Sequence, residues 1–169
     1  MICIRKANLA DYPAVTDLIE RTFRHMQKCE YLTLMEIHDS GYFSPDLSLV
    51  AEIDNHRIVG HICLIEIAIE FTFPTLGLIQ IAVAPEFQRL GIGSMLVEFA
   101  HQQAKELGYG SVISLGSKNF LLKLGYQKLS NFGIHCPYGI VDEDCLVIEL
   151  YYGALENTCG MVDSPLAYL

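Results

Sequence analysis

Apolar residues along this chain follow two periods, which alternate from one end to the other. Stretches rich in β-branched residues are typical of strands, and stretches with apolar residues every three or four positions are typical of amphipathic helices. The strand-like stretches are residues 2–5, 48–53, 57–73, 76–83, 111–115, the one that opens at 125–126, and 145–151. The helical stretches are one with Pro13 in its first turn, then 32–38, 92–107 and 117–124. This order predicts a mixed α/β fold that begins with a meander.

Capping and turn residues mark the ends of several elements. Asn8 or Asp11 is placed to cap the first helix, and residues 54–56 indicate the tight turn of a hairpin. Gly108 follows the helix 92–107 and is its expected C-cap. In that helix we predict inward positions for Met95, Leu96, Phe99 and Ala100.

Length and charge limit the classes of function. With 169 residues the chain is predicted to form one domain, residues 1–169, with a substantial core. The net charge of −9 disfavours a nucleic-acid partner, because phosphate backbones are bound by clustered Lys and Arg. An acidic surface attracts cationic partners such as amines, or it simply keeps the protein soluble.

Neither a membrane span nor a metal site is expected. The longest apolar run, residues 58–73, is interrupted by His61, Glu66 and Glu70. The first residues begin a strand rather than a secretory signal, so we expect a cytoplasmic protein with reduced cysteines. The cysteines form no Cys-x-x-Cys pair, which argues against a zinc or redox site.

The most specific motif is residues 88–93, Gln-Arg-Leu-Gly-Ile-Gly, between the strand 76–83 and the helix 92–107. Glycines at 91 and 93 let a ligand approach the backbone, and a helix start offers amides and a positive dipole end. This junction predicts a site for a phosphorylated small molecule. A dinucleotide fold or a P-loop would need Gly-x-Gly-x-x-Gly or Gly-Lys-Ser/Thr, and the sequence contains neither.

Residues 81–96 around this motif resemble the strand, loop and helix start of the GCN5-related N-acetyltransferase (GNAT) superfamily. Residues 120–126, Phe-Leu-Leu-Lys-Leu-Gly-Tyr, are similar to a helix-to-strand element of the same superfamily. The C-terminal half resembles its bacterial predicted N-acetyltransferase subgroup. The resemblance covers residues 76–155 and implies a central, mostly antiparallel twisted sheet flanked by helices.

The resemblance implies an acetyl-CoA-dependent N-acetyltransferase that uses no metal. The primary amine of a small molecule or a peptide would attack the thioester directly in a ternary complex, and a homodimer is left open. Loop amides would hold the pyrophosphate, a strand would bind the pantetheine arm, and one side chain would contact CoA. The cofactor-binding residues implied in this way are Ile81, Ala82, Val83, Gln88, Arg89, Leu90, Gly91, Ile92, Gly93, Ser94 and Asn119.

The catalytic acid and base are not identified by the resemblance. Many relatives carry Tyr at the position of Leu121, and some carry Glu at that of Gly77. These departures motivate an alternative function, a non-catalytic acyl-CoA-binding sensor or regulatory module of the same fold. The substitute side chains are Glu66, Glu70, His61 and the pair His135-Cys136, while Gln80 is able to orient the substrate but not to act as a base. For the carboxylates the competing interpretation is an outward position on a strand, and for the first histidine a satisfied place in the core.

Overall fold

The structure, a computed structural model, describes residues 1–24, 34–39, 41–70, 75–115, 119–136 and 140–163. The strands in these ranges are β1 (Cys3–Lys6), β2 (Phe43–Ile53), β3 (Arg57–Ile69), β4 (Thr75–Val83), β5 (Ser111–Leu115), β6 (Gln127–Lys128), β7 (Ile134–His135), β8 (Cys145–Glu149) and β9 (Gly160–Asp163). The helices are α1 (Tyr12–Thr22), α2 (Leu34–Asp39), α3 (Ile92–Glu106) and α4 (Asn119–Leu122). The strand order is β1-β2-β3-β4-β5-β8-β6, and β9 pairs with both β3 and β7. The predicted fold class, a mostly antiparallel sheet with flanking helices, is confirmed.

Each predicted strand and helix has a counterpart, with shifts at the ends. The strand predicted at 48–53 begins earlier, at Phe43, and α3 ends at Glu106. Gly108 has φ 90° and its amide donates to Lys105 O at 3.0 Å, as expected of a C-cap. Parts of three predicted elements, residues 32–33, 71–73 and 117–118, lie outside the described residues.

Two further strands, β7 and β9, were not predicted. They pair with each other in parallel, Ile134 opposite Gly160 and His135 opposite Met161. A two-residue strand is too short to show a period, and its partner lies far along the chain. Local pattern therefore carries no signal for this pair.

A capping box closes the 3-10 turn Leu9–Asp11, which leads directly into α1. Asn8 Oδ1 accepts from the Ala10 amide at 2.9 Å, and Asp11 Oδ2 accepts from the Asn8 amide at 2.8 Å. Arg5 holds the Asp11 carboxylate with two hydrogen bonds of 2.7 and 2.9 Å. The helix that follows carries Arg21 in its last turn.

The chain divides into two compact units, and unit 1 comprises Met1–Leu64 and Ile79–Gln103. In it, α3 packs closely on β3 at Gly60, where an added Cβ would lie 2.9 Å from Leu96 Cδ1. The buried residues of α3 in this unit are Ile92, Leu96, Val97 and Ala100. The prediction of an inward Met95 is wrong, since that residue is 39% exposed. Successive helical residues are about 100° apart, which leaves Met95 beside the buried stripe.

Unit 2 comprises Ile65–Leu78 and Ala104–Leu169. In it, β5 pairs antiparallel with β8, from Ser111 opposite Glu149 to Leu115 opposite Cys145. Cys145 forms a disulfide with Cys136, so the expectation of reduced cysteines is wrong for this pair. Among the residues that the structure describes, no helix is long and apolar enough to cross a membrane.

Candidate functional site

The backbone leaves β4 through a turn that its own hydrogen bonds close. The Phe87 amide donates to Ala84 O at 2.8 Å, and the Gln88 side chain donates through Nε2 to Val83 O at 2.9 Å. The Ala84 amide donates to Val59 O at 2.9 Å, which joins the turn to β3. Gln88 therefore holds the last carbonyl of β4 with its side chain.

After this turn, left-handed backbone conformations occur at every second residue. Arg89 has φ 62° and Gly91 has φ 85°, both left-handed, whereas Leu90 between them does not have positive φ. Alternation of right- and left-handed residues is the backbone pattern that turns successive amides toward one side in concave anion sites. A non-glycine residue in the left-handed region costs about 1–2 kcal/mol, so Arg89 keeps this conformation only because its surroundings impose it.

The loop runs directly into the start of α3. The Met95 amide donates to Gly91 O at 3.0 Å, which is the first bond of the helix. The amides of Ile92, Gly93 and Ser94 therefore have no carbonyl within the helix, and they point out along its axis. They add the positive end of the helix dipole to the concave site.

Open space surrounds both glycines of the motif. A Cβ added to Gly91 would meet no atom within 4 Å, and one added to Gly93 would lie 3.9 Å from Val83 Cγ2. No neighbouring side chain therefore fills the space on the Cβ side of either glycine. This arrangement fits a pyrophosphate group, which needs several amides converging on one exposed place.

The end of β4 leads into this loop and has an alternating burial. Ala82 is 1% exposed, whereas Ile81 and Val83 are half-buried on the other face. β4 pairs in parallel with β5 only through Leu76, Gly77 and Leu78, among the residues that the structure describes. Residues 81–83 lie beyond that register.

Ion pairs surround the turn at residues 85–87. The Glu86 carboxylate accepts from Arg21 of α1 at 3.1 and 3.2 Å and from Arg57 of β3 at 2.5 Å. The Arg57 guanidinium also lies 5.1 Å from the centre of the Phe87 ring. Sequence reasoning missed these contacts, since no short-range spacing joins the residues.

A row of three buried polar side chains crosses β2, β3 and β4 in unit 1. Ser48, His61 and Gln80, the polar row, are each at most 3% exposed. His61 Nε2 lies 3.0 Å from Ser48 Oγ. Burial lowers the pKa of His61 to about 4, and a side-chain hydrogen bond with Gln80 opposes that shift in part. His61 is therefore a neutral imidazole at pH 7.

The two positions where relatives carry catalytic side chains are buried and apolar here. Leu121 of α4 is fully buried, and Gly77 of β4 is buried as well. Glu66 and Glu70 are exposed, in agreement with the outward interpretation. Glu66 accepts a hydrogen bond from the Tyr109 hydroxyl at 2.7 Å.

The remaining predicted residues, Asn119, His135 and Cys136, belong to unit 2. Asn119 is the first residue of α4 in unit 2 and is exposed. His135 lies in β7 and is exposed, and Cys136 forms the disulfide with Cys145. A His-Cys pair therefore does not form, because the thiol is already consumed in a bond to another strand.

A sequence model described as the acetyltransferase (GNAT) family matches residues 12–126. An uncharacterized N-acetyltransferase, YhbS from Escherichia coli (strain K12), is 21% identical over 154 residues, 90% of each chain. Two solved structures are similar in fold. The E. coli YhbS structure in complex with CoA has a TM-score of 0.83 at 20% identity, over 95% of this chain and 88% of that one. A GNAT family acetyltransferase from Brucella melitensis in complex with acetyl-CoA has a TM-score of 0.76 at 21% identity, over 100% of this chain and 99% of that one.

Proposed function

Because the chain belongs to the acetyltransferase (GNAT) family, we propose that it binds acetyl-CoA and transfers the acetyl group to a primary amine. The observation that carries the proposal is the loop of residues 89–94, where left-handed Arg89 and Gly91 precede the open amides of the α3 start. The solved relatives bound to CoA or acetyl-CoA support it. The family match spans residues of both units, which favours one acetyltransferase domain over residues 1–169.

In this proposal the pyrophosphate of CoA lies on the loop. The amides of Arg89, Leu90, Gly91, Ile92, Gly93 and Ser94 are the donors. Each amide-to-phosphate bond contributes about 1.5–3 kcal/mol, because the acceptor carries a full charge. Gln88 supports the loop that carries these donors, because its side chain donates a hydrogen bond to the Val83 carbonyl.

The pantetheine arm extends from the loop along Ile81, Ala82 and Val83. These residues lie beyond the register with β5, so their main chain is placed to pair with an added strand-like ligand. An amide of the same stretch polarises the thioester carbonyl, as an oxyanion hole does. Asn119 is proposed as a further side-chain contact to CoA.

Acetyl transfer then proceeds in one displacement. The amine nitrogen bonds to the thioester carbon, the carbon–sulfur bond breaks, and the CoA thiolate takes up a proton. An amine of pKa about 10 must first lose its own proton, which costs roughly 4 kcal/mol at pH 7. Neither Leu121 nor Gly77 can move a proton, so the proton passes through water or through another side chain. The acceptor is left open among small amines, amino-acid derivatives, antibiotics and protein N-termini.

Two measurements test this function. Calorimetry with acetyl-CoA measures binding, and a panel of amines with detection of the released thiol measures turnover. We expect binding, thiol release that depends on one class of amine, and intersecting initial-rate lines without a covalent intermediate. No binding of acetyl-CoA would refute the proposal.

A specific observation favours a second candidate, the non-catalytic acyl-CoA sensor. Leu121 stands where many relatives carry Tyr and Gly77 where some carry Glu, and both positions are buried. The same pair of measurements separates the candidates. A sensor binds acetyl-CoA in calorimetry and releases no thiol with any amine in the panel.

A further inference from the structure

We propose that Glu86 is a positioning residue for the CoA loop, which it holds in shape by pairing with Arg21 and Arg57. The inference rests on the proposed function, and it concerns a side chain outside the amide donors. Glu86 lies in the turn Pro85–Phe87, three residues before left-handed Arg89.

Contacts from two separate elements meet on this carboxylate. Arg21 Nη2 lies 3.1 and 3.2 Å from its two oxygens, and Arg57 Nη2 lies 2.5 Å from Oε1. α1 and β3 thus hold the turn from two sides. Arg57 adds a contact of 5.1 Å to the ring centre of Phe87, the next residue of the same turn.

A single exposed ion pair contributes little to stability, and the three side chains here are 38–52% exposed. The arrangement differs from a single pair because one carboxylate binds two guanidinium groups and thereby fixes the backbone that leads to the loop. The pKa of Glu86 is lowered by its own backbone amide, then by Arg21, which keeps the group ionised. The effect we infer is therefore on the geometry of the loop rather than on global stability.

Charge and positioning predict opposite signs for the loss of Glu86. A carboxylate close to the phosphate loop repels CoA, so its neutralisation should tighten binding on charge alone, and two released arginines should tighten it further. Positioning predicts weaker binding, because the turn is no longer held and the amides must be ordered by the ligand. The sign of one measured change thus separates the two explanations.

The test compares Glu86→Gln with Glu98→Gln in calorimetry with CoA. Glu98 is an exposed carboxylate of α3, so its variant loses the same charge without touching the turn. We expect Kd for CoA to rise about five- to tenfold in Glu86→Gln and to stay within twofold in Glu98→Gln. The unfolding midpoint of both should stay within about 3 °C of the wild type. In turnover assays, KM for acetyl-CoA should rise while kcat changes little.

Hydrogen exchange in the unliganded protein gives a readout that does not need CoA. Amides of residues 86–91 should exchange faster in Glu86→Gln, while those of β4 stay unchanged. An Arg57→Gln variant should also bind CoA more weakly. The double variant Arg57→Gln/Glu86→Gln should lose no more affinity for CoA than the more affected of the two single variants. Unchanged exchange, or a Glu86→Gln variant that binds CoA as tightly as Glu98→Gln, would overturn the inference alone. A wild-type protein that binds no CoA would overturn the proposed function instead, and the exchange experiment would still decide whether Glu86 orders the loop.

Discussion

The loop of residues 88–94 and the polar row of Ser48, His61 and Gln80 belong to the same unit but present opposite chemistry. The loop is exposed and offers main-chain amides, whose direction depends on backbone angles at Arg89 and Gly91. The row is at most 3% exposed and offers side chains in an apolar core. A backbone site leaves its mark in the sequence as glycines, whereas a side-chain row on three strands leaves none. The cofactor is therefore easier to infer from this sequence than the side chains that carry out catalysis.

The largest effect should follow from a carboxylate placed on the loop. In Gly93→Glu the new Cβ has room, since the nearest atom would be Val83 Cγ2 at 3.9 Å. The fold should therefore persist while the added negative charge occupies the phosphate position. We expect affinity for CoA to fall more than about 100-fold, which corresponds to about 2.7 kcal/mol. Calorimetry measures the loss, and circular dichroism monitors the fold.

The control for this variant is Gln102→Glu, which adds the same charge to an exposed position of α3. Its affinity for CoA should stay within about twofold of the wild type, because salt screens charges beyond about 10 Å. Equal losses in both variants would mean that net charge, and not the loop, governs binding. The loop would then not be the site that binds CoA.

The polar row predicts a pH dependence of stability. Burial lowers the pKa of His61 from 6.5 to about 4, so between these pH values the unfolded chain binds a proton on His61 and the folded chain does not. The contribution of neutral His61 to the free energy of unfolding is fully present above pH 6.5 and is lost as the pH falls toward 4. Between pH 7 and pH 5 we expect the free energy of unfolding to fall by about 2 kcal/mol. Urea denaturation at the two pH values measures it.

In His61→Gln this loss should disappear, because the glutamine does not titrate. The control His135→Gln changes an exposed histidine and should keep the full loss. Carboxylates with lowered pKa, such as Asp11 and Glu52, act below about pH 4.5 and leave this window undisturbed. An equal pH dependence in the wild type and His61→Gln would show that the imidazole is hydrated in the folded protein.

Residues that act through local backbone were predictable, and those that act through distant contacts were not. The order of elements, the capping residues and the glycine motif all follow from short windows of sequence. β7 and β9 were not predicted because their pairing joins segments that are far apart in the sequence. The contacts of Glu86 with Arg21 and Arg57 were not predicted for the same reason. Met95 was misplaced because a helical period fixes a face only to within one residue.

The two glycines of the loop should respond to alanine with opposite signs. Gly91 has φ 85° and open space around its Cβ, so Gly91→Ala meets only backbone strain of about 1 kcal/mol. Gly93 lies in α3 without positive φ, and Gly93→Ala should stabilise the helix by up to about 1 kcal/mol. Urea denaturation of both variants measures the pair. Equal signs would show that the loop does not require the left-handed conformation at Gly91.

The smallest effect should come from a side chain that the sequence put forward as a base. Glu66 is exposed, and its Oε2 accepts a hydrogen bond from the Tyr109 hydroxyl at 2.7 Å. Burial, and then the contact with Glu66, raises the pKa of Tyr109 to about 12, so this phenol remains a donor at neutral pH. We expect Glu66→Gln to keep kcat/KM within about threefold, since an amide oxygen still accepts the phenol hydrogen bond. Glu70→Gln, which changes an exposed residue directly after the end of β3, should keep kcat/KM in the same range. A loss of 100-fold in Glu66→Gln alone, with a flattened pH profile, would make Glu66 the base.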